Sequence, residues 1–243
     1  MQFVLVDGKG GPDYDRLFPR AWLSAKDDLG EVRDVLRQVH RLMVDRQASI
    51  ASVLGVTDAW HLGPSPSWPL VVVVVDEAHT FFHERKGTSP EVKAHNAVVA
   101  ELSRLVEELV RKGRNVAIQV MLLTQRATGD AIPTRIRDNC QVAISFATRT
   151  VDGAVAALGE EIRQHPDLSP VLLNDPAYVG VAVTSLPGRP GFCRVRTPLV
   201  DHHHVAAVIR VTAGLRADPV ALLAAQAPGL RVVPATPEPG EVA

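Results

Sequence analysis

Cysteine is scarce in this sequence, charge of the two signs nearly cancels, and no apolar run is long. The only two cysteines, Cys140 and Cys193, lie far apart without metal-ligand spacing. That excludes a disulfide framework or a zinc ribbon and fits a reducing cytoplasm. The formal net charge is -1, so no global basic field draws the whole surface to nucleic acid, and any DNA contact has to be a local patch or loop. No apolar stretch approaches the ~20 residues that span a bilayer. The opening "MQFVLVDGKGG" has no basic region followed by a long apolar one, so the expectation is a soluble, cytoplasmic chain without an address label. With 243 residues, 46% of them hydrophobic, there is enough for one substantial domain and the length is thin for two.

What is present alternates short apolar strands with longer helices. "FVLVD" (3–7) reads as a buried strand closed by the Gly/Pro loop "GKGGPD". A helix is expected over 27–54, where Val32, Val35, Leu36, Val39, Leu42 and Met43 make one apolar stripe. A linker (60–69) precedes "LVVVVVD", and a second helix is expected over 91–112, stopped by a left-handed Gly113. Further strands are expected over 116–124 and 141–148 and near "YVGVAV" and "FCRVRT", then a short helix over 202–211 that Asp201 caps. Strands without a polar face, separated by helices, imply an α/β fold built on a mainly parallel sheet with helices on both faces. Residues 1–211 form that domain in this reading, and the Ala/Pro-rich 212–243 form a flexible tail.

In such a sheet, ligands bind where the carboxyl ends of the strands open into a crevice. Two places qualify. Asp76 and Glu77 end the most apolar strand, in "LVVVVVDEAHTFFHE" (70–84), and Thr124, Gln125 and Arg126 end the next. Paired acids at a buried strand tip suit nucleotide hydrolysis, the first holding magnesium through water and the second orienting and deprotonating the attacking water. Asp76 as a simple turn former is the plainer alternative. "DEAH" also invites a helicase reading, but no Ser-Ala-Thr motif or second RecA-like domain accompanies it. His79 and His83 have the i, i+4 spacing of two metal ligands, yet no H-E-x-x-H order exists and no third ligand is evident. The three histidines of "DHHH" (201–204) point ~100° apart on a helix and do not converge.

The stretch "ELVRKGRNVAIQVMLLTQRA" (108–127) resembles the FtsK/SpoIIIE family of DNA-pumping ATPases, in which a basic pair, an arginine and a small turn precede a strand ending in "TQRP". "VVVVVDEAH" is similar to that family's Walker B strand, "FVLVDGKGG" to its strand with an Asp-Pro-Lys turn, and "IRDNCQVAISFAT" and "GFCRVRTPLVDHHHVAAVI" to its later segments. The resemblance covers residues 1–211 and is closest to actinobacterial and plasmid-transfer members. It implies a RecA-like P-loop NTPase fold, ATP and Mg2+ as cofactors, double-stranded DNA as cargo, and a ring of subunits, a hexamer. It also implies roles: Asp76 as the magnesium-associated acid, Glu77 as the base, Thr124 beside the nucleotide, Gln125 as sensor of the γ-phosphate, and Arg114 as the finger reaching a neighbouring subunit, with Arg111 as its backup. Without the resemblance, Arg111, Lys112 and Arg114 would only complement a helix C-terminus. Arg135 and Arg137 in "PTRIRDN" are the candidates for phosphate contact with DNA. The pattern is broken at Ala143, where the family usually has arginine, and at His79 and Thr80, where it tends to have alanine and aspartate.

One motif is absent throughout. No G-x-x-x-x-G-K-[ST] occurs, the loop whose amides cradle phosphates and whose lysine reaches the terminal ones. "DGKGG" (7–11) is no substitute, since no Ser/Thr follows its lysine and a Pro-containing loop follows it. By resemblance, that loop and its helix come just before the first strand read here. The expectation is therefore a sheet short of its P-loop strand, with unpaired edges and exposed apolar faces. The chain would then be either the C-terminal part of a motor or a non-catalytic relative of one that docks on active subunits and lends them Arg114.

Overall fold

The computed structural model describes residues 1–227 apart from 127, 129 and 187. Four strands, β1 (Gln2–Asp7), β2 (Leu23–Ala25), β3 (Val71–Asp76) and β4 (Ile118–Leu122), form an all-parallel sheet in the order β2-β1-β3-β4. The unbroken valines therefore occupy an inner strand, with partners on both sides. Two long helices connect the strands: α1 (Leu29–Leu54) between β2 and β3, and α2 (Pro90–Lys112) between β3 and β4. Asp28 caps α1 by accepting from the Glu31 N–H at 2.9 Å, and Gly55 ends it in the left-handed region. Ser89 caps α2, with Pro90 in the first turn, where its missing N–H costs nothing.

Both crossovers step the same way across the sheet, and right-handed connections then place both helices on one face. All six residues of the expected α1 stripe are buried there. They share a core with Leu102, Leu105, Val106 and Leu109 of α2 and with Val4, Val6, Val71, Val73, Val75 and Ile118 of the sheet. Each such side chain contributes about 1.5–3 kcal/mol of burial. The opposite face carries Phe3, Leu5, Val72, Val74 and Met121 by alternation; neither long helix covers it, and Met121 is 50% exposed.

The two helices are pinned by ion pairs. Arg37 grips Glu101 with two N–H···O bonds of 2.7 and 2.9 Å. His40 contacts Glu108 at 3.0 Å, and Arg104 and Lys112 converge on the same carboxylate. The His40 hydrogen bond, helped by Lys112 and Arg104, holds the Glu108 carboxyl down to about 2 from its ordinary 4.5. A folded-state value below the unfolded one means that this stability is present above about pH 4.5 and is lost as pH falls toward 2. Because solvent reaches the pair, Glu108→Gln is expected to cost about 1 kcal/mol at neutral pH. In denaturant titrations the difference from the parent should close across that acid window.

Gly113 is not the left-handed stop that the sequence suggests. Its φ is -70°, and the helix passes through it into a 3-10 turn (Arg114–Val116). Glycine is needed for space, since a Cβ would lie 2.6 Å from the Leu109 carbonyl oxygen and 2.8 Å from that of Ile118. The left-handed residue comes instead at Ala117, φ 59°.

The later strands do not extend the parallel sheet. After α3 (Thr134–Arg137), β5 (Ile144–Ser145), β6 (Val181–Thr184) and β7 (Cys193–Arg196) form a separate antiparallel sheet, β5-β6-β7. It packs with α4 (Val151–Leu158) around a small core of Ala154, Ile162, Leu173, Val181 and Val183. No helix separates β6 from β7, so they pair as neighbours. The strand expected over 141–148 shrinks to two residues that pair on one side only, leaving Val142, Ile144 and Phe146 about half exposed. Helix α5 (His202–Thr212) is capped by Asp201, as expected. The chain beyond 212 departs from the expected loose tail. Helix α6 (Pro219–Gln226) buries Leu223 in the main core and Gln226 donates to the Ser67 carbonyl at 2.7 Å, while Gln2 at the start of β1 binds Leu215 and Ala217. Residues 228–243 lie outside the described residues. No helix among the described residues is long and apolar enough to cross a membrane.

Candidate functional site

Parallel pairing brings the carboxyl ends of β1, β3 and β4 side by side, and their acids with them. Asp7 and Asp76 are in-register partners across β1 and β3. Both strands end in the same pattern, apolar residues followed by aspartate. Gly8 follows Asp7 so closely against β3 that a Cβ there would lie 2.6 Å from the Asp76 carbonyl oxygen and 2.7 Å from Thr80 Oγ1. Asp7 is 1% exposed; its Oδ1 accepts from the Lys9 N–H at 3.0 Å, while Oδ2 is buried without a hydrogen-bond partner among the described residues. The Tyr14 phenol is close enough to feel both acids, and its pKa is pushed up to about 12, first by burial and then by the charges of Asp76 and Asp7.

Glu77 is 8% exposed and sits in left-handed backbone, φ 46° and ψ 46°. A non-glycine residue held there stores roughly 1–3 kcal/mol of strain, and such residues cluster at working sites. The turn is over-determined: Thr80 N–H and Oγ1 both donate to the Glu77 carbonyl, and Ala78 N–H donates to the Leu123 carbonyl at 2.8 Å. The carboxylate thereby faces the tip of β4, where its Oε2 accepts from the Gln125 N–H at 3.2 Å. His79 Nδ1 lies 3.3 Å from the same Oε2 and 3.1 Å from Thr124 Oγ1, which also accepts from the Arg126 N–H.

The structure thus brings together Asp76, Glu77, Thr124 and Gln125. Arg114 is not with them. It lies exposed in the turn before β4, at the amino end of the strand whose carboxyl end leads to Gln125. Five strand residues span about 16 Å, so Arg114 cannot serve the acids of its own chain. Arg111 is exposed in the last turn of α2, at that same remote end. Arg135 forms an ion pair with Glu107 at 3.0 Å, and Arg137 donates to the Ala156 carbonyl, tying α3 to α4. Asp7 and Tyr14 join the site although nothing in the motifs assigns them to it, and His79, a metal-ligand candidate by spacing, stands instead against Glu77 and Thr124. Of the first two, only Asp7 carries a sequence signal, the matching strand endings.

The chemistry of the donor set suits a cation and not a phosphate. Asp76 beside a buried carboxylate with an unpartnered oxygen favours bound positive charge. Among the described residues no three His, Cys, Asp or Glu side chains converge as metal ligands. A magnesium ion here would draw its remaining ligands from water and substrate oxygens, as that ion commonly does. The "GKGG" turn offers no phosphate cradle. Its Lys9 amide is spent on Asp7, the Lys9 ammonium on Asp13, and Gly10 lies against the Asp27 carboxylate. Two surface cavities of about 540 and 610 Å³ lie elsewhere, and neither is lined by Asp76 or Glu77.

No protein-family model and no curated protein matches the chain. Solved structures do. The pCW3 conjugation coupling protein TcpA, in its monomer form with ATPγS, superposes with a TM-score of 0.64 at 16% identity, over 86% of this chain and 56% of that one. The chain shares the fold of the matched part of that protein. The cytoplasmic domain of the Type VII secretion ATPase EccC of Thermomonospora curvata gives 0.59 at 18% identity, over 90% and 25%. EssC (ATPases 2 and 3) from Geobacillus thermodenitrificans gives 0.54 at 13%, over 88% and 37%. These neighbours are ATPases of the FtsK/SpoIIIE type, the group that the motifs resemble. The chain spans little more than half of the first and smaller shares of the others.

Proposed function

We propose that this chain supplies the hydrolytic-acid side of an FtsK/SpoIIIE-type motor that pumps double-stranded DNA. Asp76 is the magnesium-associated acid, Glu77 the base for the attacking water, Thr124 and Gln125 the contacts to nucleotide and γ-phosphate, and Arg114 the finger offered to the next subunit of a hexameric ring. The observation that carries the reading is the placement of Glu77: nearly buried, in strained left-handed backbone at the tip of a parallel strand, and hydrogen-bonded to the amide of Gln125. The position of Arg114 at the far end of β4 supports a role in trans. The phosphate cradle comes from other polypeptide, since this sequence has no G-x-x-x-x-G-K-[ST] and its glycine turn is occupied by carboxylates. Arg135, more than half exposed, is the better of the two DNA candidates, because Arg137 is engaged within the fold.

The same two facts favour a second reading, a non-catalytic assembly subunit that docks on an active motor. Both readings predict no ATPγS binding by the chain alone. They diverge when the chain is joined to, or assembled with, polypeptide carrying the phosphate loop. DNA-stimulated ATP turnover that depends on this chain's own acids is expected from the first, and turnover indifferent to them from the second.

A further inference from the structure

The geometry points to His79 as a positioning residue that ties the Glu77 carboxylate to the tip of β4, an inference that rests on Glu77 being the base. His79 occupies the 3-10 turn Ala78–Phe81, directly after the strained residue, and its side chain is one-quarter exposed. Its Nδ1 has two oxygens in reach, Glu77 Oε2 at 3.3 Å and Thr124 Oγ1 at 3.1 Å. A carboxylate can only accept, so a neutral imidazole in this place carries its hydrogen on Nδ1 and leaves Nε2 bare. The contact joins elements that the sheet alone leaves independent, because Glu77 and His79 belong to the turn after β3 and Thr124 to the end of β4. With the Gln125 amide on the same Oε2, that oxygen has the β4 backbone and the His79 ring, itself hydrogen-bonded to Thr124, against it. A shift of the β4 tip, the place expected to feel the γ-phosphate, therefore moves the base with it. Positioning of this kind acts through another group: it fixes the angle of the carboxylate and does not touch the substrate.

The test begins on the isolated chain, where hydrolysis plays no part. With 15N-labelled histidine at about pH 8, above the ordinary histidine range, long-range ring correlations assign the tautomer. The Nδ1–H form is expected for His79, and an Nε2–H form overturns the proposal. Amide exchange then reads the latch. His79→Ala is expected to speed exchange of the Gln125 amide about tenfold relative to the parent, His79→Asn to restore most of the protection through its own side-chain N–H, and Thr124→Val to shift the ring signals of His79. Unchanged Gln125 exchange in His79→Ala, with the fold intact by its other amides, overturns the proposal. In the loop-bearing assembly, His79→Ala should lower kcat about 10-fold with KM unchanged. If the exchange results hold while Glu77→Gln leaves turnover intact, the latch stands and the assignment of Glu77 as base falls.

Discussion

Glu77→Gln is expected to cut ATP turnover by the assembled motor about 10²–10⁴-fold, the usual worth of a positioned general base. Nucleotide affinity should change by less than roughly threefold, because the step lost is made only in the transition state. Glutamine is the informative replacement. Its amide oxygen can still accept from the Gln125 N–H, and its shape suits the left-handed turn that Thr80 and Ala78 hold. What it cannot do is take a proton from water. Alanine would confound chemistry with relaxation of a strained turn. Asp76→Asn should act differently, weakening magnesium-dependent binding as well as turnover, since it removes charge where Asp7 already shows a buried, unpartnered carboxylate oxygen. Full turnover in Glu77→Gln would sink the catalytic reading. Arg114→Ala would then decide what remains: a loss of the partner's turnover fits an assembly subunit that lends its arginine.

Much of this arrangement is legible in the residues, for identifiable reasons. Unbroken valine at 71–75 can only be an inner parallel strand, and in a parallel sheet the acids behind it must meet the end of the next strand, which is where Gln125 stands. The six-residue stripe of α1 is equally plain, because a period of 3.6 has few other meanings. Harder to read are features that depend on what an element packs against. The apolar 141–148 stretch looks like the others but has a partner on one side only, and pairing is set by neighbours and not by composition. The Ala/Pro-rich segment after 212 looks loose, yet Asp218 and Pro219 start a helix whose Leu223 finds room in the core. Gly113 after a helix suggests conformational freedom, while its place follows from close approach to Leu109 and Ile118. His79 shows the same limit at the site: beside "DE" it suggests a metal or a helicase box, and only the closeness of Thr124 gives it a different task.

Arg46→Met is expected to destabilise the fold by about 1–3 kcal/mol, the cost of leaving a buried carbonyl without its donor. Arg46 projects from α1 and is 1% exposed, with no carboxylate among its hydrogen-bond partners. Burial pulls its pKa down to about 9, which leaves it charged at neutral pH. The charge is met by carbonyl dipoles: Nη1 donates to Val116 at 2.9 Å and Ala117 at 3.3 Å, Nη2 donates to Pro69 at 2.9 Å, and the guanidinium lies 4.9 Å from the centroid of the Trp68 ring. These carbonyls stand where β3 and β4 begin, so one side chain clamps the amino ends of the two strands whose carboxyl ends carry the acids. Methionine keeps much of the volume and takes the donor from the buried Pro69 carbonyl, while the Val116 carbonyl keeps Trp68 Nε1 and the Ala117 carbonyl keeps the Val71 N–H. Lysine should recover little, because one ammonium cannot reproduce the planar fork that spans both strands or its stacking on Trp68. The same clamp fixes the turn that presents Arg114, whose own carbonyl is held by Trp60 Nε1 at 2.8 Å. Under the trans reading, Arg46→Met should therefore reduce the turnover of a neighbouring subunit even below its melting temperature. Equal stability in urea for Arg46→Met and the parent would mean that the Pro69 carbonyl finds water instead, and that the strand ends are set by the sheet alone.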